Sequence, residues 1–141
     1  MNNMQNLYRQ VIMDHYKNPR NKGLTGKGKT THLHNPSCGD DITVEVEIEN
    51  NVLKGVHHGT GCSICCSSAS VMSEVLSGKT VDEAKDIIND YVNMIKGEEI
   101  KDPDRLDEAL VYQGVAQFPA RMKCATIAWK ACEELLGDED E

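Results

Sequence analysis

The stretch from Asp41 to Thr60 leaves the chain little freedom. Ile42, Val44, Val46 and Ile48 alternate with Thr43, Glu45, Glu47 and Glu49. Period-two alternation puts one set on each face of a strand, the pattern of a half-buried antiparallel sheet. Asn50-Asn51 comes next, and asparagine tolerates positive φ, so the pair predicts a hairpin turn. Val52 to Thr60 then returns as the partner strand, with His57 and His58 pointing to opposite faces near its end. These two histidines are read as structural.

The flanking segments read mostly as helices. Met4, Leu7, Tyr8, Val11, Ile12 and His15 fall at helical spacing, which predicts a helix over 4–17 that Asn18-Pro19 stops. Arg20 to Thr30 holds Arg20, Lys22, Lys27 and Lys29 and is expected to be a solvated, flexible basic loop. Residues 31–35 form a short edge strand, with His32 and His34 on one side. After the hairpin, 62–76 reads as a helix ended by Gly78. Thr80-Val81-Asp82-Glu83 is a capping box that opens a helix running to Gly97. Pro103 begins a short helix to Tyr112, and Pro119 suits the first turn of a last helix to about Leu136. The expected fold class is α+β: a small three-stranded antiparallel sheet packed against five or so helices. We expect one domain over 1–141, with 137–141 as a frayed acidic tail.

Composition narrows the chemistry. The formal charge is −8, which argues against non-specific nucleic-acid binding and favours basic protein partners. No apolar run approaches membrane-spanning length, and the polar start lacks a signal-peptide core. Six cysteines without such a signal point to a reducing, cytoplasmic setting, where thiols stay free for metal or sulfur chemistry.

Three of the cysteines share a setting. Cys38 lies on the turn Asn35-Pro36-Ser37-Cys38-Gly39-Asp40, just before the first hairpin strand. Cys62 lies just past the second, at a helix start, where the helix dipole favours thiolate. The hairpin makes these two neighbours by topology. Cys124 is early in the last helix and joins them if that helix packs its start at the same edge. With Asp40, the set becomes three sulfurs and one oxygen, which suits four-coordinate Zn²⁺. Iron–sulfur ligation uses the same donors. Buried cysteines also act as small hydrophobes, and Cys132, mid-helix beside Ala131, is read that way. Cys62-Ser63-Ile64-Cys65 is a C-x-x-C at a helix start, but an antiparallel hairpin precedes it rather than the βαβ setting of a thioredoxin-like site. Cys65 and Cys66 are therefore ranked as packing residues first, spare thiols second and ligands third.

Several segments together resemble one family. Cys38-Gly39-Asp40, Gly61-Cys62-Ser63-Ile64 and Lys123-Cys124, in this order, look like the IscU/NifU-like iron–sulfur cluster assembly scaffold superfamily. Residues 7–21, Gln113-Gly114-Val115 and 118–126 resemble its SufU branch. Lys123 stands where IscU scaffolds carry a histidine, and the extra residues between about Tyr91 and Phe118 also point to SufU.

The resemblance implies a zinc-dependent sulfurtransferase with Cys38, Asp40, Cys62 and Cys124 as metal ligands. Cys38 would be the catalytic thiol that leaves the metal to take persulfide sulfur from a SufS-type cysteine desulfurase, and Arg121 would steady the site. The sulfur would pass to a SufB-containing scaffold, with this chain acting as a monomer or weak dimer. A [2Fe–2S] scaffold on the same ligands is the alternative. Cys65-Cys66 departs from the branch, where a small polar and a Met-like residue are expected.

Overall fold

The computed structural model of the protein describes residues 3–138. Its elements run α1 (Asn3–Lys17), β1 (Lys29–Asn35), β2 (Asp40–Glu49), β3 (Val52–Thr60), α2 (Ser63–Leu76), α3 (Val81–Ile95), a 3₁₀ segment (Pro103–Gln117) and α4 (Pro119–Asp138). The strands form one antiparallel sheet in the order β1-β2-β3. The expected α+β architecture of three strands and five helices is what the chain adopts. Gly137 and Asp138 lie within α4, and 139–141 lie outside the described residues, as do the side chains of Met4 and Leu7.

The hairpin forms for the reason its sequence suggests. Asn50 and Asn51 hold φ of 54° and 65°, the conformation a two-residue turn between twisted strands requires. Ile42, Val44 and Val46 are buried on the face that also carries Leu53 and His57. Against this face pack α2 and α4, with α1, α3 and the 3₁₀ segment around them. The capping box at Thr80 and Glu83 is present in both directions. At the centre, the Trp129 and Tyr91 rings stack at 3.8 Å and 8°, both fully buried. The Trp129 indole N–H donates to Ser68 Oγ at 2.9 Å, and Ser68 Oγ donates to the Ala125 carbonyl at 2.7 Å.

The outer face of the hairpin departs from simple alternation. Glu45 is only 2% exposed, although it belongs to the charged set. The basic loop explains this. Its Thr25 and Gly26 amides donate to the Glu45 carboxylate, and the Thr25 hydroxyl makes a further short hydrogen bond to it. Earlier in the loop, Gly23 N–H donates to His57 O, His57 N–H to Asn21 O, and Arg20 N–H to Ser70 Oγ. The segment is solvent-exposed, as its composition suggests, and these hydrogen bonds also fasten its backbone to the sheet. A carboxylate buried among amides replaces water as their partner.

The Thr25 hydroxyl and the loop amides hold the Glu45 carboxyl below the ordinary glutamate range. A lowered native pKa means that this anchor is fully present above the unfolded value and is lost as pH falls through the native one. At neutral pH, Glu45→Gln should therefore speed hydrogen exchange at the Thr25 and Gly26 amides while leaving the α2 and α4 amides protected. Unchanged exchange at Thr25 and Gly26 would show that the loop is held by other means.

Candidate metal centre

The site forms where sheet register, one turn and two helix starts converge. Asn35 pairs with Asp40 across the β1–β2 turn. Gly39, inside that turn, has φ +70°, a conformation other residues adopt at a cost. Asp41 pairs with Thr60, so Asp40 stands beside the exit of β3, where Gly61 and Cys62 follow. Gly61 gives Asp40 room, because a Cβ there would lie 2.5 Å from Asp40 Oδ1. Cys62 is the N-cap of α2, and its backbone N–H donates to Asp40 Oδ1 at 3.0 Å. From the other side, α4 packs on β1 and β2 and brings in Cys124.

Ligand atoms of Cys38, Asp40 and Cys124 lie within 4.8 Å of one another. Asp40 and Cys124 are fully buried, whereas Cys38 is partly open to solvent. Cys62 falls outside this tightest trio, although its side chain still acts on Cys124. Burial, followed by Cys38, Asp40 and Cys62, pushes the Cys124 thiol well above its ordinary range. Two features make the set suitable for a cation. The carboxylate of Asp40 is completely buried, with N–H donors from Cys62 and Asn35 and the Cys124 thiol beside it. A buried carboxylate in its ionised form is favoured by positive charge nearby. The two thiols and one carboxylate of this trio, with the Cys62 thiol nearby, are also donor types that favour zinc.

Arg121 is exposed at the start of α4 and lies close to this cluster. Its pKa is raised first by a hydrogen bond with Cys124, then by the charges of Cys62, Cys38 and Cys124. The other sulfurs lie elsewhere. Cys132 is buried in α4, and burial pushes its thiol up to about 12. Cys65 is buried and interacts with the half-buried Cys66, which raises the Cys65 thiol and lowers that of Cys66, and the Cys66 thiol donates to the Gly61 carbonyl at 3.6 Å. Among the described residues, none of these three joins the cluster, and neither does any histidine.

His32 is exposed and pairs with Asp41 at 2.6 Å, while buried His57 meets the Arg20 carbonyl at 2.8 Å. His15 forms a separate knot with Ser70 at 2.7 Å, Glu108 at 3.2 Å and Glu74 at 3.6 Å, tying α1, α2 and the 3₁₀ segment together. The Arg20 guanidinium already supplies positive charge to Glu74 and Glu108 there.

Asn35, a turn residue by its sequence pattern, also reaches into the centre. Asn35 Nδ2 reaches Asp40 Oδ2 at 3.3 Å and Cys124 Sγ at 3.8 Å. An Asn immediately before Pro, five residues ahead of Asp40, was the available signal, and it needed the strand register to be interpretable.

Residues 7–125 match the family described as NifU-like N-terminal domain. The chain belongs to that family. Among NifU-like relatives, it is 41% identical to the zinc-dependent sulfurtransferase SufU of Bacillus subtilis over 98% of this chain and 95% of that one. It is 34% identical to the iron–sulfur cluster assembly scaffold protein IscU of Streptococcus pyogenes, covering 96% and 86%. A solved structure from Fervidobacterium islandicum, described as a putative scaffold protein for the SUF system, superposes with a TM-score of 0.85 at 31% identity, covering 90% and 94%. The NifU-like fold thus extends over nearly all of the described chain. None of its described helices is long and apolar enough to cross a membrane.

Proposed function

We infer that this protein is a zinc-dependent sulfurtransferase of iron–sulfur cluster assembly. It accepts persulfide sulfur from a SufS-type cysteine desulfurase and hands it to a SufB-containing scaffold. The observation that carries this reading is the convergence of Cys38, Asp40 and Cys124, with Cys62 beside them, in a chain so similar to a zinc-dependent SufU. Cys38, Asp40, Cys62 and Cys124 would hold the zinc. When bound, zinc keeps its thiol ligands deprotonated near neutral pH.

The protein's own residues divide the remaining work. Cys38 is the acceptor: it is partly exposed on a turn, whereas Cys124 is buried and Cys62, also partly exposed, is fixed at the N-cap of α2. Its thiolate attacks the outer sulfur of the desulfurase persulfide. A new S–S bond forms on Cys38, the old one breaks, and the desulfurase cysteine leaves as thiolate, so no external oxidant or reductant is needed. Arg121, adjacent to the cluster, offsets the negative charge gathered there. Six free cysteines suit a reducing cytoplasm, where such a thiol stays available.

The [2Fe–2S] scaffold reading draws support from the likeness to the streptococcal IscU. Lys123, exposed ahead of Cys124 where IscU scaffolds are expected to carry histidine, weighs against it. Protein purified under reducing conditions should be colourless, carry one zinc per chain and raise alanine release by a SufS-type desulfurase. A brown sample with iron and labile sulfide would replace the transferase with the scaffold. Absence of stimulation would remove the transferase reading outright.

A further inference from the structure

Asn35 occupies a position that neither the packing nor the sulfur chemistry above accounts for. It closes β1 at 6% exposure, in register with Asp40. Its Nδ2 donates to Asp40 Oδ2 at 3.3 Å and to Cys124 Sγ at 3.8 Å. An ionised carboxylate only accepts, which fixes the amide nitrogen, not the oxygen, toward this pair. The other Asp40 oxygen accepts from Cys62 N–H at 3.0 Å. Each carboxylate oxygen therefore has its own donor, and Cys124 shares one of them.

Cys38 is placed differently. In its described hydrogen bond the thiol is the donor, to the Ala120 carbonyl at 3.9 Å. The two sulfurs thus differ in their surroundings: one faces an N–H donor and the other an acceptor. An N–H donor spreads the charge of a thiolate and fixes its orientation, as outer partners do for metal ligands generally.

We propose that Asn35 is a positioning residue of the metal centre, clamping Asp40 and Cys124 as its fixed ligands and leaving Cys38 as the sulfur free to react. This inference rests on the zinc-centre reading of the same site. It assigns the choice of reactive cysteine to the buried amide of Asn35.

The test uses zinc-loaded full-length protein with Asn35→Ala and Asn35→Asp, and Cys62→Ala as the control on the centre itself. Zinc affinity is measured by competition with a chromophoric chelator. The order of alkylation of Cys38, Cys62 and Cys124 by iodoacetamide is followed by peptide mass spectrometry. In wild type, Cys38 should react first and Cys124 last. Both Asn35 variants should lose about 10- to 100-fold in zinc affinity, with Cys124 alkylation rising toward that of Cys38.

Asn35→Asp keeps the side chain's size and removes its donor, so the same shift there separates positioning from space filling. It also carries the test if Asn35→Ala does not fold. An unchanged alkylation order in the folded variants overturns the proposal, whatever the affinity. If wild type binds no zinc, or Cys62→Ala binds it as wild type does, the zinc-centre reading fails first and takes the role of Asn35 with it.

Discussion

Cys38→Ala should bring cysteine desulfurase turnover back to the rate of the desulfurase alone. The reason lies in how the site is divided. Asp40 and Cys124 are buried and hydrogen-bonded through Asn35, so they hold the arrangement together. Cys38 is partly exposed, as Cys62 is, but it sits on a turn rather than at a helix N-cap, with a long hydrogen bond to Ala120. Removing its sulfur should cost the acceptor and one ligand while leaving the core intact. Two measurements belong together here: alanine release by the desulfurase, and the mass of the peptide that contains Cys38 after turnover. Wild type should gain one sulfur atom on that peptide, and a thiol reductant should remove it. Full stimulation by Cys38→Ala, or no added sulfur on wild-type Cys38, would sink the acceptor role and leave zinc purely structural.

The largest effect on stability is expected at Trp129. Trp129→Ala removes a fully buried ring that stacks on Tyr91 at 3.8 Å, together with the N–H that donates to Ser68. Substitutions of this type cost about 3–5 kcal/mol, a large share of a typical domain's stability of about 5–15 kcal/mol. The cavity would open between α3 and α4, where Ser68 and Tyr91 both donate to the Ala125 carbonyl. Urea unfolding of the two proteins would give the difference directly. Trp129→Phe should cost less, because an aromatic face remains against Tyr91 and only the indole N–H and part of the volume are lost. A cost below about 1 kcal/mol for the alanine variant would place the stabilising core elsewhere.

Much of this fold could be read from local chemistry. Alternation at 42–49, Asn50-Asn51, the Thr80/Glu83 box and Pro119 each specify an element through its own backbone requirements, and each element appears close to its expected bounds. The 3₁₀ segment was less legible. It was expected to stop near Tyr112 but runs to Gln117, through a break at Asp107 where φ is 49°. That residue carries no glycine-like signature, and only the surrounding packing selects such a conformation.

The site shows the same contrast. Cys38, Asp40 and Cys62 were legible together because a hairpin must bring its two ends side by side. Cys124 depended on how α4 packs, which the family resemblance supplied. Burial of Glu45 and the reach of Asn35 were not legible, since both depend on partners fixed by tertiary structure. For Glu45 the partner is a loop 20 residues earlier; for Asn35 it is a helix 89 residues later.

Trp129 is the chain's single tryptophan. Its indole is wired through Ser68 to the carbonyl of Ala125, the residue that follows Cys124. The protein therefore carries its own optical gauge at a known address. Its intrinsic emission comes from one ring in a dry, stacked environment. Two hydrogen bonds therefore link that ring to the residue beside Cys124, so tryptophan emission is a label-free readout to follow during zinc binding or removal.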